Sequence, residues 1–286
     1  MKYGIGTPVV VQLPSARAEW ERQAGPAELV RIAEHADRLG YHHLTCSEHV
    51  AVPASVEAAR GVTYWDALAT LSYLAARTER IRLVTNVLVL AYHHPLALAK
   101  RYGTLDRLSG GRLILGLGVG SLTEEFELLG APFDDRGPRA DDALRALRAA
   151  WGVREPSYRG PYYQFSGLVV EPHAPRDRVP FWMGGRTRRS LTRAAALADG
   201  WTPFALDHDQ LRAMLDSVER PDGFEVVLGF GAPVDPMAGP GPVLEAIDRV
   251  TTAGATTVSV SVVHHSLDHY LDQLEAFAQL VDLAGR

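Results

Sequence analysis

Cysteine and lysine are scarce in this chain of 286 residues. The single cysteine, Cys46, excludes an intrachain disulfide and is typical of a protein in a reducing compartment. Lysine occurs only as Lys2 and Lys100, and neither follows a predicted strand, so the Schiff-base lysine of an aldolase is missing. These shortages favour a cytoplasmic protein whose chemistry does not depend on a reactive amine.

Long apolar runs and a large net charge are missing as well. No apolar segment approaches the roughly 20 residues that cross a bilayer, and no signal-peptide core precedes the first predicted strand. The formal net charge of −5 is modest, so neither nucleic acid nor a membrane is expected as a partner. We expect a soluble protein whose partner is a small molecule.

The chain instead contains a regular alternation of strands and helices. Apolar residues make up 47% of it, which is enough for a large core. Strands separated by amphipathic helices imply a parallel sheet with right-handed crossovers, and eight such units close into a (β/α)8 barrel of about 250 residues. The predicted strands are residues 3–7, 42–46, 81–89, 112–120, 179–183, 200–203, 224–230 and 256–263.

One irregular segment interrupts this pattern. Residues 152–178 are rich in proline, glycine and tyrosine and have no helical period, so they form an excursion off the barrel between strands four and five. No linker divides the chain, and we predict one α/β domain, residues 1–286, folded as a single TIM barrel. The predicted helices are residues 26–39, 65–76, 94–109, 138–151, 187–198, 208–218, 242–252 and 267–283.

Active sites of such barrels lie at the carboxyl ends of the strands. A glycosidase would need two carboxylates there, and only Glu48 clearly follows a strand. No His-x-His pair follows strand one, so no metal site is predicted. A redox enzyme that takes its reactivity from a cofactor fits this rim best. The candidate residues at the strand ends are Glu48, His49, Asn86, Gly118, Gly120, Ser121, Gly184, Gly185, Arg186 and Thr187.

The segment Gly184-Gly185-Arg186-Thr187 predicts an anion site. Two glycines after a strand, followed by a helix, present free N–H groups and the positive end of a helix dipole. The same residues also fit a glycine turn beside a solvated basic helix. Two further alternatives stay open: the glycines of strand four could make room for a bulge, and His49 could be a hydrogen-bonded loop residue.

Several motifs, taken in order, resemble the luciferase-like monooxygenase superfamily. Within that superfamily, the Gly184-Gly185 pair before an arginine-rich helix is similar to the branch that uses the deazaflavin coenzyme F420. The motifs are Ser47-Glu48-His49, TNVLV at 85–89, HPLALAK at 94–100, LDRLSGGR at 105–112, GLGVG at 116–120, FDDRG at 133–137, WMGG at 182–185 and DGW at 199–201.

The resemblance implies a barrel that binds F420, or alternatively FMN, at its C-terminal mouth. It implies a cis peptide bond between Asn86 and Val87 beside the ring, and a phosphate end on the segment from Gly184 to Thr187. His49 and Glu48 match the polar pair near the reactive edge of the ring. The resemblance also implies a homodimer through helices two and three, where small residues allow close approach. These are Ala67, Ala69, Ala75 and Ala76.

The sequence departs from the sugar-phosphate dehydrogenases of this branch. Ser121 replaces their glutamate, and both their tryptophan after the strand-two histidine and their phosphate-binding lysines are missing. The main hypothesis is therefore hydride transfer between F420 and a small, largely apolar substrate, with His49 moving the proton. Residues 50–63 and 152–180 would cover that substrate. The alternatives are a monooxygenase that uses reduced FMN and O2, and a barrel that binds flavin without turnover.

Overall fold

Eight parallel strands close into a barrel in the computed structural model, which describes residues 1–283. Each barrel strand pairs with the next along the chain, and the last pairs with the first. The (β/α)8 prediction is thus confirmed, while the final three residues of the predicted domain lie outside the described residues. The barrel strands are β1 (Lys2–Ile5), β2 (His43–Cys46), β3 (Arg82–Thr85) continued by β4 (Leu88–Val89), β5 (Leu113–Gly118), β8 (Phe181–Gly184), β9 (Gly200–Thr202), β10 (Glu225–Gly229) and β11 (Thr257–Val260).

The third barrel strand is broken into β3 and β4 by a bulge. Val84 lies opposite Ile114 and Leu88 lies opposite Leu117, so the broken strand has one residue more than β5 between the two pairs. Inside this bulge, the peptide bond between Asn86 and Val87 is cis, as the resemblance implied.

Ten α-helices are found within the described residues, and their ends follow local signals. Helix α1 has the predicted bounds because Pro26 stands in its first turn and Gly40, at φ 86°, ends it. No helix in this part of the chain is both long and apolar enough to cross a membrane. The helices are α1 (Pro26–Leu39), α2 (Glu57–Arg60), α3 (Ala67–Ala75), α4 (Pro95–Leu108), α5 (Thr123–Leu128), α6 (Arg136–Ala150), α7 (Arg188–Leu197), α8 (His208–Asp216), α9 (Pro240–Thr252) and α10 (Leu267–Leu280).

The alanines predicted to form a dimer face on helix two do not all reach the surface. Ala67 and Ala75 are buried in the core of the monomer, where they leave only 2% and 7% of their surface exposed. Ala69 and Ala76 are exposed, on the same side of α3 as the exposed Tyr73. Only this second set is available to a partner.

Several strands are shorter than predicted at their carboxyl ends. The first was expected to reach Thr7 but ends at Ile5, because the Thr45 N–H donates to the Thr7 hydroxyl (2.9 Å) rather than to a backbone carbonyl. The last ends at Val260, since the chain beyond it pairs with Val234 of a loop. These departures leave the mouth of the barrel lined by loops rather than by strand backbone.

The interior of the barrel at its amino end is filled by two buried rings. His43 and Trp182 pack edge to face, with ring centroids 5.2 Å apart, and a Cβ on Gly4 would lie 2.2 Å from the His43 ring. Burial holds the pKa of His43 well below its usual value, so this ring stays neutral. His43 is therefore a core residue.

The excursion between β5 and β8 contains a hairpin of β6 (Tyr158–Arg159) and β7 (Gln164–Phe165). The buried carboxylate of Asp142 on α6 accepts hydrogen bonds from the Tyr158 hydroxyl (2.6 Å) and from the Tyr162 and Tyr163 N–H groups (2.9 and 3.0 Å). Lys100 of α4 donates to the carbonyl of Glu171 further along. The excursion is thus fastened to the outer helices α4 and α6.

Candidate active site

The residues predicted from the strand ends come together at one face of the molecule. Cys46 lies opposite Thr85, and Val89 lies opposite Gly118, so the segments that follow β2, β4 and β5 are neighbours. Because every barrel strand is parallel, all these segments open onto the carboxyl-end mouth. The predicted residues at this mouth are Glu48, His49, Asn86, Val87, Gly118, Gly120, Ser121, Gly184, Gly185, Arg186 and Thr187.

His49 is held by a carboxylate that the sequence analysis did not identify. Its Nδ1 lies 2.8 Å from Oε2 of Glu125 on α5, and the Tyr64 ring packs edge to face against the imidazole at 4.5 Å. The His49 side chain is 21% exposed, whereas that of Glu125 is fully buried. The imidazole is therefore fixed on one side and reaches the mouth on the other.

Glu125 accepts four hydrogen bonds. Besides His49, its donors are the backbone N–H groups of Val50 and Ala51 and the Tyr92 hydroxyl, the last at 3.0 Å. Burial by itself would raise the pKa of Glu125, but these donors outweigh it and the pKa lies below its usual value of 4.5. Glu125 is thus ionised at neutral pH, and it holds the loop after β2 to α5.

The depressed pKa of Glu125 makes a pH-dependent contribution to stability. A carboxyl whose pKa is lowered by folding stabilises the protein above its unfolded pKa, and this stabilisation is lost as the pH falls through the folded value. We expect Glu125→Gln to lower the free energy of unfolding by about 1 to 3 kcal/mol at pH 7. Urea unfolding should show this difference shrinking below pH 4.5. A difference that is the same at pH 7 and at pH 3 would contradict this account.

Glu48 points away from His49. Its Oε2 accepts the Val89 N–H at 2.7 Å, and its Oε1 lies 2.7 Å from Nε2 of His93. Both oxygens are thus engaged with the segment that follows the bulge. These contacts suit positioning of the bulge. The sequence predicted Glu48 as a catalytic residue beside His49, near the reactive edge of the ring.

Asn86 and Val87 have opposite surroundings. Asn86 is exposed at the mouth, and its carbonyl accepts a hydrogen bond from the Ser47 hydroxyl at 2.7 Å. Val87 turns towards β5 and, beyond it, β8. A Cβ on Gly118 would lie 2.6 Å from Cγ2 of Val87, and one on Gly184 would lie 3.0 Å from its Cγ1. These glycines therefore make room for the bulge, the alternative that the sequence left open.

Gly120 and Ser121 continue β5 into the mouth. Gly120 has a φ of 79°, and a Cβ there would lie 2.5 Å from the Phe126 ring and 2.7 Å from Val89. Gly120 is thus required for local packing. Ser121 is exposed beside it and remains available to a ligand.

The segment after β8 ends in a capped helix. The Thr187 side chain accepts the Ser190 N–H, and the Thr187 N–H donates to the Ser190 hydroxyl, both at 3.2 Å. Gly185 has a φ of 143°, and a Cβ there would lie 2.5 Å from Ser190. Any substitution of Gly185 would therefore disturb the cap, so this position cannot test an anion site by charge alone.

The arginines after this segment point in different directions. Arg193 pairs with Asp141 of α6, and Arg188 donates to the Ser217 carbonyl at 3.3 Å. Arg186 is exposed and lies over the Phe204 ring, 5.9 Å from its centroid. Of the basic groups expected to bind an anion here, Arg186 is therefore the best placed.

Apolar side chains surround the mouth. They belong to loops that follow β1, β2, β9 and β11, and each exposes more than a third of its surface. The first two loops are joined by hydrogen bonds between Trp65 and Val10 (3.0 Å) and between Gln12 and Thr63 (3.2 Å). A rim of this kind favours apolar ligands. Its exposed members are Leu13, Val50, Val62, Phe204 and Val263.

Cys46, at the end of β2, is buried. Its burial raises the pKa of the thiol to about 12, so it is no nucleophile at neutral pH. Within residues 1–283, no three side chains of His, Cys, Asp or Glu form a group that could hold a metal ion.

Glu125 could have been found from helical spacing. Leu122, Phe126 and Leu129 mark one face of the segment after β5, and Glu125 lies on that face, unlike Glu124. A carboxylate on an apolar face requires a partner. No local feature identifies that partner as His49, which lies 76 residues earlier.

The chain is similar to a family model and to several known proteins. The family model described as luciferase-like monooxygenase matches residues 1–235. An uncharacterized protein of Mycobacterium tuberculosis is 29% identical over 274 residues, which are 90% of this chain and 94% of that protein. The F420-dependent glucose-6-phosphate dehydrogenase of Amycolatopsis mediterranei is 32% identical over 183 residues, 59% of this chain and 54% of that enzyme.

A solved structure has the same fold over the whole chain. The monooxygenase RslO1 from Streptomyces bottropensis superposes with a TM-score of 0.79 at 23% identity, and each chain is covered completely. At 23% identity, this match shows that the two proteins share the barrel fold and the order of its elements.

Proposed function

The chain belongs to the luciferase-like monooxygenase family, and we propose that it is an oxidoreductase that transfers a hydride between coenzyme F420 and a small, largely apolar substrate. The observation that carries this proposal is the pairing of His49 with the buried Glu125 at the barrel mouth. This pair supplies a proton-transferring group at the mouth, and a hydride transfer needs such a group beside its cofactor. The reaction therefore depends on a cofactor for its redox step.

The residues at the mouth fit a flat, anionic cofactor. Asn86 and Ser121 expose polar groups on neighbouring strands. The start of α7, with Arg186 and Thr187 exposed beside it, offers backbone N–H groups and positive charge to a phosphate. When bound, F420 supplies a carbon centre that accepts or donates hydride, which the side chains cannot do.

Two features support F420 and an apolar substrate over the alternatives. The relative from Amycolatopsis, at 32% identity, is named as F420-dependent. The exposed rim residues Leu13, Val50, Val62, Phe204 and Val263 offer apolar surface to an apolar substrate. We assign the cover of the substrate to residues 50–63, because the excursion is fastened to α4 and α6.

Cofactor choice is tested by titrating the purified protein separately with F420 and FMN and following fluorescence or heat. We expect micromolar or tighter binding of F420 and much weaker binding of FMN. Arg186→Glu should weaken F420 binding about tenfold, because reversing a charge beside a phosphate costs on the order of 1.4 kcal/mol. Arg188→Glu is the matched control, since this neighbour points towards Ser217 and should bind F420 as the wild type does.

Other results would redirect the assignment. A preference for FMN would make the protein a candidate monooxygenase, to be assayed with reduced FMN and O2. Tight binding without turnover over a broad panel of alkenes, imines, ketones and alcohols would favour a flavin-binding barrel. Equal affinities of the two arginine variants would remove Arg186 from the phosphate site.

We also propose a homodimer. Ala69, Tyr73 and Ala76 form an exposed stripe on α3, three to four residues apart, that could pack against a second copy. The mass of the protein in solution, measured by light scattering, tests this directly.

A further inference from the structure

Glu125 controls which nitrogen of His49 carries the proton. The carboxylate is ionised, since its pKa lies below the usual value, and an ionised carboxylate can only accept hydrogen bonds. The contact at 2.8 Å to Nδ1 must therefore be an Nδ1–H donor. In the neutral imidazole this leaves Nε2 without a proton.

The orientation of the His49 ring is fixed together with its proton. Tyr64 packs edge to face against it at 4.5 Å, and the neighbouring backbone N–H groups of Val50 and Ala51 bind the other oxygen of Glu125. Glu125 thus binds both the His49 ring and the backbone that directly follows it. Nε2 lies across the ring from Nδ1 and therefore on the side away from Glu125, and the His49 side chain as a whole is 21% exposed.

We propose that Glu125 is a positioning residue that holds His49 as the Nδ1–H tautomer and presents Nε2 to the substrate as the atom that takes or gives the proton. The use of Nε2 in turnover depends on the oxidoreductase function proposed above. The tautomer itself does not, because it is set by contacts within the protein.

The charged and titratable groups around this pair are few. Tyr92 donates its hydroxyl to Glu125, and both burial and the Glu125 charge raise its pKa, so it remains a donor. Tyr64 on the other side also has a raised pKa, chiefly from burial. Glu48 lies nearby but binds Val89 and His93. Glu125 is thus the charged group that contacts the His49 ring directly.

The substitution Glu125→Gln should reverse the tautomer. Oε1 accepts the Val50 and Ala51 N–H groups, so the amide oxygen of a glutamine must stay there. Its NH2 group then faces Nδ1 of His49, which becomes an acceptor, and the ring proton moves to Nε2. In this variant the nitrogen that lacks a proton is Nδ1, which faces the new amide inside the protein. His49 then cannot take a proton from the substrate.

The test is long-range ¹H–¹⁵N NMR of the histidine rings in the protein without cofactor. We expect His49 to appear as the Nδ1–H tautomer in the wild type and in Glu124→Gln, an exposed neighbour that serves as the matched control. Glu125→Gln should appear as the Nε2–H tautomer. An Nε2–H tautomer in the wild type, or an unchanged tautomer in Glu125→Gln, would overturn the proposal.

Kinetics of the F420-loaded protein provide the second measurement. We expect kcat of Glu125→Gln to fall by about 10²- to 10⁴-fold while KM and F420 affinity change little, as expected when a carboxylate that orients a catalytic histidine becomes an amide. Equal losses in cofactor affinity and kcat would indicate a merely structural role. If the tautomers behave as expected but the wild type transfers no hydride, the proposed function fails and the positioning of His49 by Glu125 stands.

Discussion

We expect turnover to fall by at least about 100-fold when His49 is replaced by alanine, whereas F420 affinity should stay within a few-fold of the wild type. General acid–base catalysis by a positioned side chain contributes about 10²- to 10⁴-fold. His49 is such a side chain, because Glu125 binds its Nδ1 and the partly exposed ring presents Nε2 on the other side. The residues assigned to the phosphate follow a different strand, β8. Steady-state kinetics together with a binding titration measure the two effects separately.

Removal of His49 also leaves Glu125 without one of its donors, so a second variant is needed. His49→Gln retains an N–H donor for the carboxylate but cannot transfer a proton at neutral pH. It should be folded as stably as the wild type and as inactive as His49→Ala. His208→Ala, at the first residue of α8, serves as the control and should keep full activity. Full activity in both His49 variants would remove this residue from the mechanism.

The second large effect is on stability: Gly116→Ala should cost about 3 kcal/mol or more. A Cβ on Gly116 would lie 1.9 Å from the backbone carbonyl oxygen of Thr85, and overpacking of a close-packed site typically costs 1 to 3 kcal/mol even where side chains can move. Here the neighbour is backbone and cannot rotate away. For a chain of this size, 3 kcal/mol corresponds to a fall in Tm of roughly 6 to 12 °C.

Two further glycines make this a graded series. Gly118→Ala would bring its Cβ to 2.6 Å from the Val87 side chain, so it should destabilise less than Gly116→Ala and should displace Val87 at the proposed cofactor site. Gly241→Ala is the control, because no atom lies within 4 Å of its Cβ position on α9. Thermal unfolding of the three variants tests the order. A Tm of Gly116→Ala equal to that of the control would show that the bulge adapts freely.

The barrel and the position of its mouth could be read from the sequence, because both follow from local patterns. Strand and helix alternation is carried by the spacing of apolar residues, and α1 has its predicted bounds because its caps are local. The strand-end residues share a face because parallel strands must end together. The sequence placed His49, Asn86 and Ser121 at the mouth in this way, and the structure has them there.

The roles of several predicted residues depended on side-chain direction instead. Gly118 and Gly184 were predicted to bind a cofactor, and the structure adds that a Cβ on either glycine would meet the Val87 side chain. Glu48 follows β2 as predicted, yet its oxygens bind Val89 and His93. Sequence spacing gives the strand on which a residue lies; it does not give the neighbour that its side chain meets.

The sequence by itself determined the (β/α)8 fold, the family resemblance and the mouth as the place of chemistry, since each is repeated in local patterns along the chain. The tertiary structure alone decided that Glu125 binds His49, that Arg186 rather than Arg193 is free for an anion, and that the excursion lies on α4 and α6. The physical reason is the same in all three cases. Each depends on a contact between residues far apart in the chain, and such a contact exists only after the barrel has closed.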